Sequence, residues 1–300
     1  MRKTPQFNKK VVLVILLPVL FFALFGFDAG EAVADNDPRD YVPAPVGTNV
    51  FTLYYQHRWG DELYAQGEKA ASDYRLRTDL SILKWTFFRQ ISDKTVGAQL
   101  ALPYAKADLD WNSGGVNQDA EGIGDIVMLA GFWPYENPKQ RLWWGVTGWV
   151  TMPTGDYDDA KAVNIGNNRW AFKGETNVTY GIQPDLLLEG TASLEMYTDN
   201  DSYLVVNTLE QDPVLTLEAH LSKNLSQTTS VSLDYFFHSG GETTLAGTAQ
   251  DDCKRDHALQ TTITFPLVGG WFTRLVYRND FKVRNGAETQ TAGFRLIKPF

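Results

Sequence analysis

Thiols are almost missing from this chain: Cys253 is the single cysteine in 300 residues, so neither a disulfide framework nor a thiolate zinc site is available. Past Phe27 no apolar run approaches the roughly 20 residues that a membrane-crossing helix needs. Basic charge is short, with 27 Lys and Arg against 36 Asp and Glu, which argues against nucleic acid or acidic lipid as a partner. His57, His220, His238 and His257 have no close pairwise spacing, so no compact histidine metal site is expected. No Gly-x-Ser-x-Gly elbow and no ATP-binding loop occurs, and no cofactor is expected.

What is present begins with export. Arg2, Lys3, Lys9 and Lys10 precede an apolar run from Val11 to Phe27, and Ala32-Val33-Ala34 offers a small-x-small cleavage site. The reading is a signal peptide over 1–34, a proline-rich segment over 35–46 (Pro38, Pro43, Pro45) that is either a plug or a periplasmic tail, and a single domain over 47–300. Removing four basic and two acidic residues with the leader leaves 23 and 34, a net charge of −11.

The rest of the chain alternates with period two rather than 3.6. Leu186, Leu188, Ala192, Leu194 and Met196 alternate with Glu189, Thr191, Ser193 and Glu195. Leu215, Leu217, Ala219 and Leu221 alternate with Thr216, Glu218 and His220; Leu233, Tyr235 and Phe237 alternate with Ser232, Asp234 and His238. One face is apolar and the other polar. With 9 Trp, 13 Tyr and 17 Phe, the aromatic load suits a barrel whose apolar face meets lipid, with aromatic girdles at the interfaces and a polar lumen.

Connections alternate between long (59–73, 110–121, 154–167, 198–211, 239–254) and short (91–95, 135–140, 181–185, 222–227, 268–270). That asymmetry belongs to outer-membrane barrels, with extracellular loops and periplasmic turns. The expected fold is all-β: a transmembrane, antiparallel, up-and-down barrel of about twelve strands with both termini periplasmic. Trp59, Trp111 and Trp170 fall near long-loop ends, and Trp85, Trp133, Trp143, Trp144 and Trp271 near short-turn ends. The last strand places Ala292, Phe294, Leu296 and Phe300 on one face, resembling the signal read by the barrel-assembly machinery; Lys298 departs from it, at a position from which its stem can snorkel. Outer-membrane lipid, lipopolysaccharide, the assembly machinery and small-molecule solutes are the expected partners.

Two motifs carry a family resemblance: Gly122-Ile123-Gly124-Asp125, and Pro153-Thr154-Gly155-Asp156-Tyr157 followed by Asn164-Ile165-Gly166-Asn167-Asn168-Arg169-Trp170. The chain resembles the meta-pathway of phenol degradation proteins. That resemblance implies an outer-membrane barrel transporter connected with breakdown of aromatic compounds. For the second motif, a well-formed outer hairpin is favoured over a loop folded into the pore.

Pore-lining candidates, taken as the polar positions of each strand, are Arg75, Arg77, Asp79, Arg169, Lys173, Glu175, Glu189, Glu195, Glu218, His220, Arg274, Arg278 and Arg295. A one-residue register error would move any strand's set to the other face. The leading function is passive uptake of small, hydrophobic or aromatic compounds. The alternatives are a lipid hydrolase built on His238-Ser239 and a closed structural or surface-interaction barrel. Oxygen-rich clusters at Asp156-Tyr157-Asp158-Asp159 and Asp199-Asn200-Asp201 are read as solvated loop charge, with calcium binding as the other possibility.

Overall fold

The computed structural model describes residues 35–300; the leader expected over 1–34 lies outside them. In chain order the strands are β1 (Asn49–Ala65), β2 (Glu68–Ala71), β3 (Tyr74–Ile91), β4 (Lys94–Trp111), β5 (Val116–Ile123), β6 (Ile126–Asn137), β7 (Leu142–Met152), β8 (Ala171–Gln183) and β9 (Leu186–Tyr197). They continue with β10 (Asn200–Tyr203), β11 (Asn207–Gln211), β12 (Val214–Asn224), β13 (Ser230–Gly240), β14 (Thr243–Leu245), β15 (Thr248–Ala249), β16 (Lys254–Pro266), β17 (Phe272–Lys282) and β18 (Gly286–Pro299).

Twelve of these close into one antiparallel up-and-down barrel, in the order β1-β3-β4-β6-β7-β8-β9-β12-β13-β16-β17-β18. β18 pairs back onto β1 with Tyr54 opposite Arg295 and Thr52 opposite Ile297, so no edge is left to satisfy in lipid. Among the described residues no helix is long and apolar enough to cross a membrane. The short connections are tight: β3 and β4 join across Ser92 and Asp93, with Ile91 paired to Lys94. At the opposite end β10, β11, β14 and β15 form a separate four-stranded sheet.

Three of the expected long loops are largely strand: 198–211 holds β10 and β11 of the separate sheet, and the other two extend the barrel wall. The 59–73 connection continues β1 and adds β2, and the 110–121 connection is the tip of the β4–β5 hairpin. β3 and β4 run 18 residues each, against 12 for β6 and 11 for β7. At about 3.3 Å per residue and a tilt of about 40°, they far exceed an apolar band about 25 Å tall, so their long-loop halves stand beyond it.

Leu188, Leu194, Leu217, Leu233, Leu259 and Leu275 point outward and are exposed, forming the apolar belt that the alternation predicts. Trp85, Trp144 and Trp170 are exposed on that surface, but Trp111, Trp133 and Trp143 are buried. Trp133 and Trp143 instead pack with Phe88 and Leu187 inside the barrel. Lys298 reaches the turn between β16 and β17, where its Nζ donates to the Gly269 carbonyl.

Candidate functional site

The lumen has two unlike walls. On β3, β4 and β6 the inward residues are apolar: Leu76, Leu80, Ile82, Ala101, Ala105 and Val127 are all buried in one cluster. On β8, β9, β12 and β13 they are polar: Glu175, Asn177, Glu189, Glu218, His220 and Asp234 are each at most 4% exposed. Buried charge in such numbers must be paired or hydrogen-bonded, and it is. Lys173 Nζ lies 3.2 Å from Glu175 and 3.9 Å from the centre of the Trp149 ring. His220 bridges Glu218 Oε2 (3.2 Å) and Asp234 Oδ1 (3.0 Å). Glu195 accepts from the Tyr197 hydroxyl at 3.1 Å, and Arg169 stacks over the Tyr197 ring while bonding Gln211. β17 and β18 complete the wall with Arg274, Arg278, Asp280 and Arg295.

Three expected lumen residues lie on the other side of the wall. Arg75, Arg77 and Asp79 face outward, where Arg75 pairs with Asp110, Arg77 with Asp61 at 2.8 Å, and Asp79 with His57 at 2.9 Å. The reason is the length of β3. Beyond the apolar band the outer surface meets water, so charge belongs outside there, while Tyr74, Leu76 and Leu80 turn inward to pack. The other ten candidates, Arg169, Lys173, Glu175, Glu189, Glu195, Glu218, His220, Arg274, Arg278 and Arg295, are turned to the barrel interior.

The 153–170 connection also differs from the favoured outer hairpin. Val163 and Ile165, at 1% and 3% exposure, join the inward cluster of β3 and β4. Asp125 clamps the fold: Oδ1 accepts from the backbone N–H groups of Thr154 (3.0 Å) and Gly155 (2.8 Å), and Oδ2 from that of Asn167 (2.8 Å). Gly155 and Gly166 cross so closely that a Cβ on either would sit 2.8 Å from the other's backbone. The first motif thus supplies the clamp and the second the crossing strand of a loop folded into the barrel mouth. Asp156 accepts from Ile123 N–H (2.8 Å) and Asp158 from Ala160 N–H (3.0 Å). No cluster of His, Cys, Asp or Glu suited to a metal ion occurs among the described residues.

Residues 35–44 run down the lumen, from Asp35 deepest inside to Ala44 at the short-turn end, and their chemistry matches both sides of the polar wall. Asp35 bonds His238 (3.0 Å) and Arg278, and Asp37 bonds Arg295 and Arg274, each at 3.1 Å. Against the acidic strands the segment turns donors: Asn36 Nδ2 to Glu175 (3.0 Å) and Glu218, the Arg39 N–H to Glu189 (2.9 Å), and the Tyr41 hydroxyl to Glu175. Trp133 Nε1 caps the Tyr41 carbonyl at 2.8 Å. Burial pushes both aspartates up, but the charges of His238 and Arg278 around Asp35, and of Arg295, Arg274 and Lys84 around Asp37, outweigh it and hold both well below the usual carboxylate range. Burial and the neighbouring Glu175 push the Tyr41 phenol up, keeping it a donor.

The segment divides the lumen into two cavities of about 250 and 260 Å³. The one toward the long loops has Leu76, Leu80 and Leu109 on one side and Arg58, Arg278 and Lys254 on the other. The one toward the short turns is lined by Tyr54, Phe88, Trp133, Trp149 and Lys84. Lys84 and Tyr54 are not among the residues that the sequence singles out, and Asp125 stands there only as part of a motif, without its clamping role. A lone lysine in the period-two series Leu80, Ile82, Lys84, Thr86, Phe88 was the available signal, since it makes the polar face of β3 the inward one at that height. His238 and Ser239 lie consecutively within β13, on opposite faces, and His238 is bonded to Asp35 rather than to Ser239.

The chain is 26% identical to an outer membrane channel from Pseudomonas putida F1, with a TM-score of 0.85 over 89% of this chain and 100% of that one. The β domain of the Bordetella autotransporter BrkA shares the fold at 11% identity and a TM-score of 0.51, over 83% of this chain and 98% of that one. No curated protein sequence matches it. The architecture is that of an outer-membrane channel, and residues 60–296 match the model of the family described as "Putative MetA-pathway of phenol degradation". The chain belongs to that family.

Proposed function

We propose that the protein is a passive outer-membrane channel for small compounds with an apolar, typically aromatic, body and a polar or charged edge. The observation that carries this reading is the two-sided lumen. An apolar arc on β3, β4 and β6 faces a wall of buried charge, so a solute sliding between them can keep its ring against leucines and its polar group against fixed donors. Pore electrostatics of this kind select by chemistry as well as by size. Cavities of about 250 and 260 Å³ fall just below the roughly 300–1,000 Å³ of drug-sized ligand pockets, a scale for single rings. The family's association with phenol degradation is in keeping with that class.

In this reading the long loops face the outside and both termini the periplasm, the leader is removed after Ala34, and the last strand ending at Phe300 addresses the chain to the barrel-assembly machinery. Solutes enter between the folded-in 153–170 loop and the polar wall, and pass the N-terminal segment. The ion pairs that hold this segment in mid-lumen favour a second reading, a closed barrel.

Swelling of liposomes containing the purified barrel separates the two. Swelling with phenol and benzoate that outpaces sugars and amino acids of similar size is the expected result. Swelling that tracks size alone would make it a general pore, and none with any solute, in a barrel shown to be folded, would make it closed.

A further inference from the structure

The two lumen cavities meet at Asp35, Asn36 and Asp37 of the N-terminal segment and at one side chain of the barrel wall, Arg295, which lines both although it is only 5% exposed. Its Nε donates to Asp37 Oδ2 at 3.1 Å and its Nη2 to Gln56 Oε1 at 3.3 Å, while Nη1 has no hydrogen-bond partner among the described residues. A buried guanidinium N–H without an acceptor is costly, and the residue that carries it lines both cavities.

Arg295 does not act alone. Arg274 Nη1 reaches the same Asp37 oxygen at 3.1 Å and Asp40 Oδ1 at 3.4 Å, and Lys84 Nζ lies 3.9 Å from Asp40. Arg295 and Lys84 each stand 4.7 Å from the centre of the Tyr54 ring. Three cations from β3, β17 and β18 therefore converge beside an aromatic-lined cavity that also presents Phe88, Trp133 and Trp149. The groups now meeting them are two carboxylates of the protein's own N-terminal segment, Asp37 on Arg295 and Arg274 and Asp40 on Arg274 and Lys84. Guanidinium pairs favour carboxylates through parallel charge-assisted bonds, and a ring attached to that carboxylate has Tyr54 and the cavity's aromatic walls within reach.

We propose that Arg295, Arg274 and Lys84 form a carboxylate subsite in the lumen. Asp37 fills it in the resting channel, and an aromatic carboxylate in transit takes it over, with Arg295 Nη1 gaining an acceptor as the segment moves aside. The exchange swaps one carboxylate for another, so the buried cations stay compensated as the segment gives way. This inference rests on the channel reading for its biological meaning, but the site itself is defined by the side chains.

Calorimetric titration of the detergent-purified full-length protein with benzoate and with neutral benzamide tests it. Benzoate should bind at least about tenfold more tightly than benzamide, the scale of one charge-assisted hydrogen bond. Arg295→Gln should erase that preference and Arg274→Gln reduce it. Asp37→Asn, which removes the resident competitor and leaves the wall intact, should tighten benzoate and leave benzamide unchanged. Equal binding of the two ligands to the unmodified protein, or a preference that survives Arg295→Gln, overturns the proposal. If Arg295→Gln fails to fold, Asp37→Asn decides, and benzoate affinity unchanged by it is equally fatal. Benzoate bound by a barrel that passes no solute in swelling assays would sink the channel reading and leave the subsite standing; swelling without benzoate preference would sink only the subsite.

Discussion

The arc of β3 and β4 and the arc from β8 to β13 belong to one closed sheet, yet they solve opposite problems. In the second arc lipid presses on the outer face, so Leu188, Leu194, Leu217 and Leu233 point out and Glu189, Glu218, His220 and Asp234 point in. In the first arc the strands outgrow the membrane. Their outer face is apolar at Leu83, Trp85, Leu100 and Leu102 but charged at Arg75, Arg77, Asp108 and Asp110, while the inner face stays apolar over most of its length. A barrel strand is thus polar inside only where lipid demands an apolar outside. Where water lies beyond the wall, the inside is free to be greasy, and that freedom gives this lumen an apolar track.

The sharpest way to break this contrast is on β3, where neighbours point to opposite faces. Leu80→Asp would place an unpaired carboxylate in the buried cluster, with an expected cost of about 3–5 kcal/mol, whereas Asp79→Ala removes a half-exposed pair with His57 and an exposed hydrogen bond from the Tyr55 hydroxyl and should cost about 0–1 kcal/mol. Thermal loss of the folded, heat-modifiable form in detergent measures both. Similar costs for the two would mean that the apolar arc is not a packed wall.

A middle-sized effect is expected where the folded-in loop meets that arc. Gly155→Ala forces a Cβ to within 2.8 Å of the Asp125 amide and the Gly166 backbone, an overpacking worth about 1–3 kcal/mol. The loop should lift, carrying Val163 and Ile165 off β3 and β4, and trypsin should cut after Lys161 faster than in the unmodified protein. Unchanged cleavage would mean that the crossing of the two glycines does not hold the loop.

The same contrast explains what was legible in the sequence. Strand alternation on β8 to β17 announces its own parity, because a one-residue slip would put Glu189 or Asp234 in lipid; there, inward residues follow directly from polarity. On β3 the rule inverts with height, and Arg75, Arg77 and Asp79 read as lumen residues because sequence does not say where the membrane stops. Twelve strands and their short turns were visible in the pattern, whereas the strand character of 59–73 and 110–121 was hidden by polar composition that suits an exposed hairpin as well as a loop. The segment at 35–46 carried its signal in Asp35, Asp37 and Arg39, but their meaning depends on Arg278, Arg295 and Glu189, more than 140 residues away.

The polar arc yields the smallest expected effect, and its sign is fixed by the segment that it holds. Aspartates with depressed native values contribute stability that is fully present above the ordinary aspartate pKa of about 3.9 and is lost only as pH falls through the lower native value. Asp35 and Asp37 are both held well below that range despite their burial. Their ion pairs with Arg278, Arg274 and Arg295 should therefore survive acidification from pH 7 to pH 4, and hydrogen exchange at the Asn36 and Arg39 amides, which are bonded to Glu218 and Glu189, should show undiminished protection across that interval. Loss of protection between pH 5 and pH 4 would place these carboxylates in the ordinary range, with the segment held by the acidic strands through Asn36, Arg39 and Tyr41 rather than by the arginines. In that case Asp37 would be a weak occupant of the Arg274 and Arg295 pair, and an entering carboxylate would face little competition there.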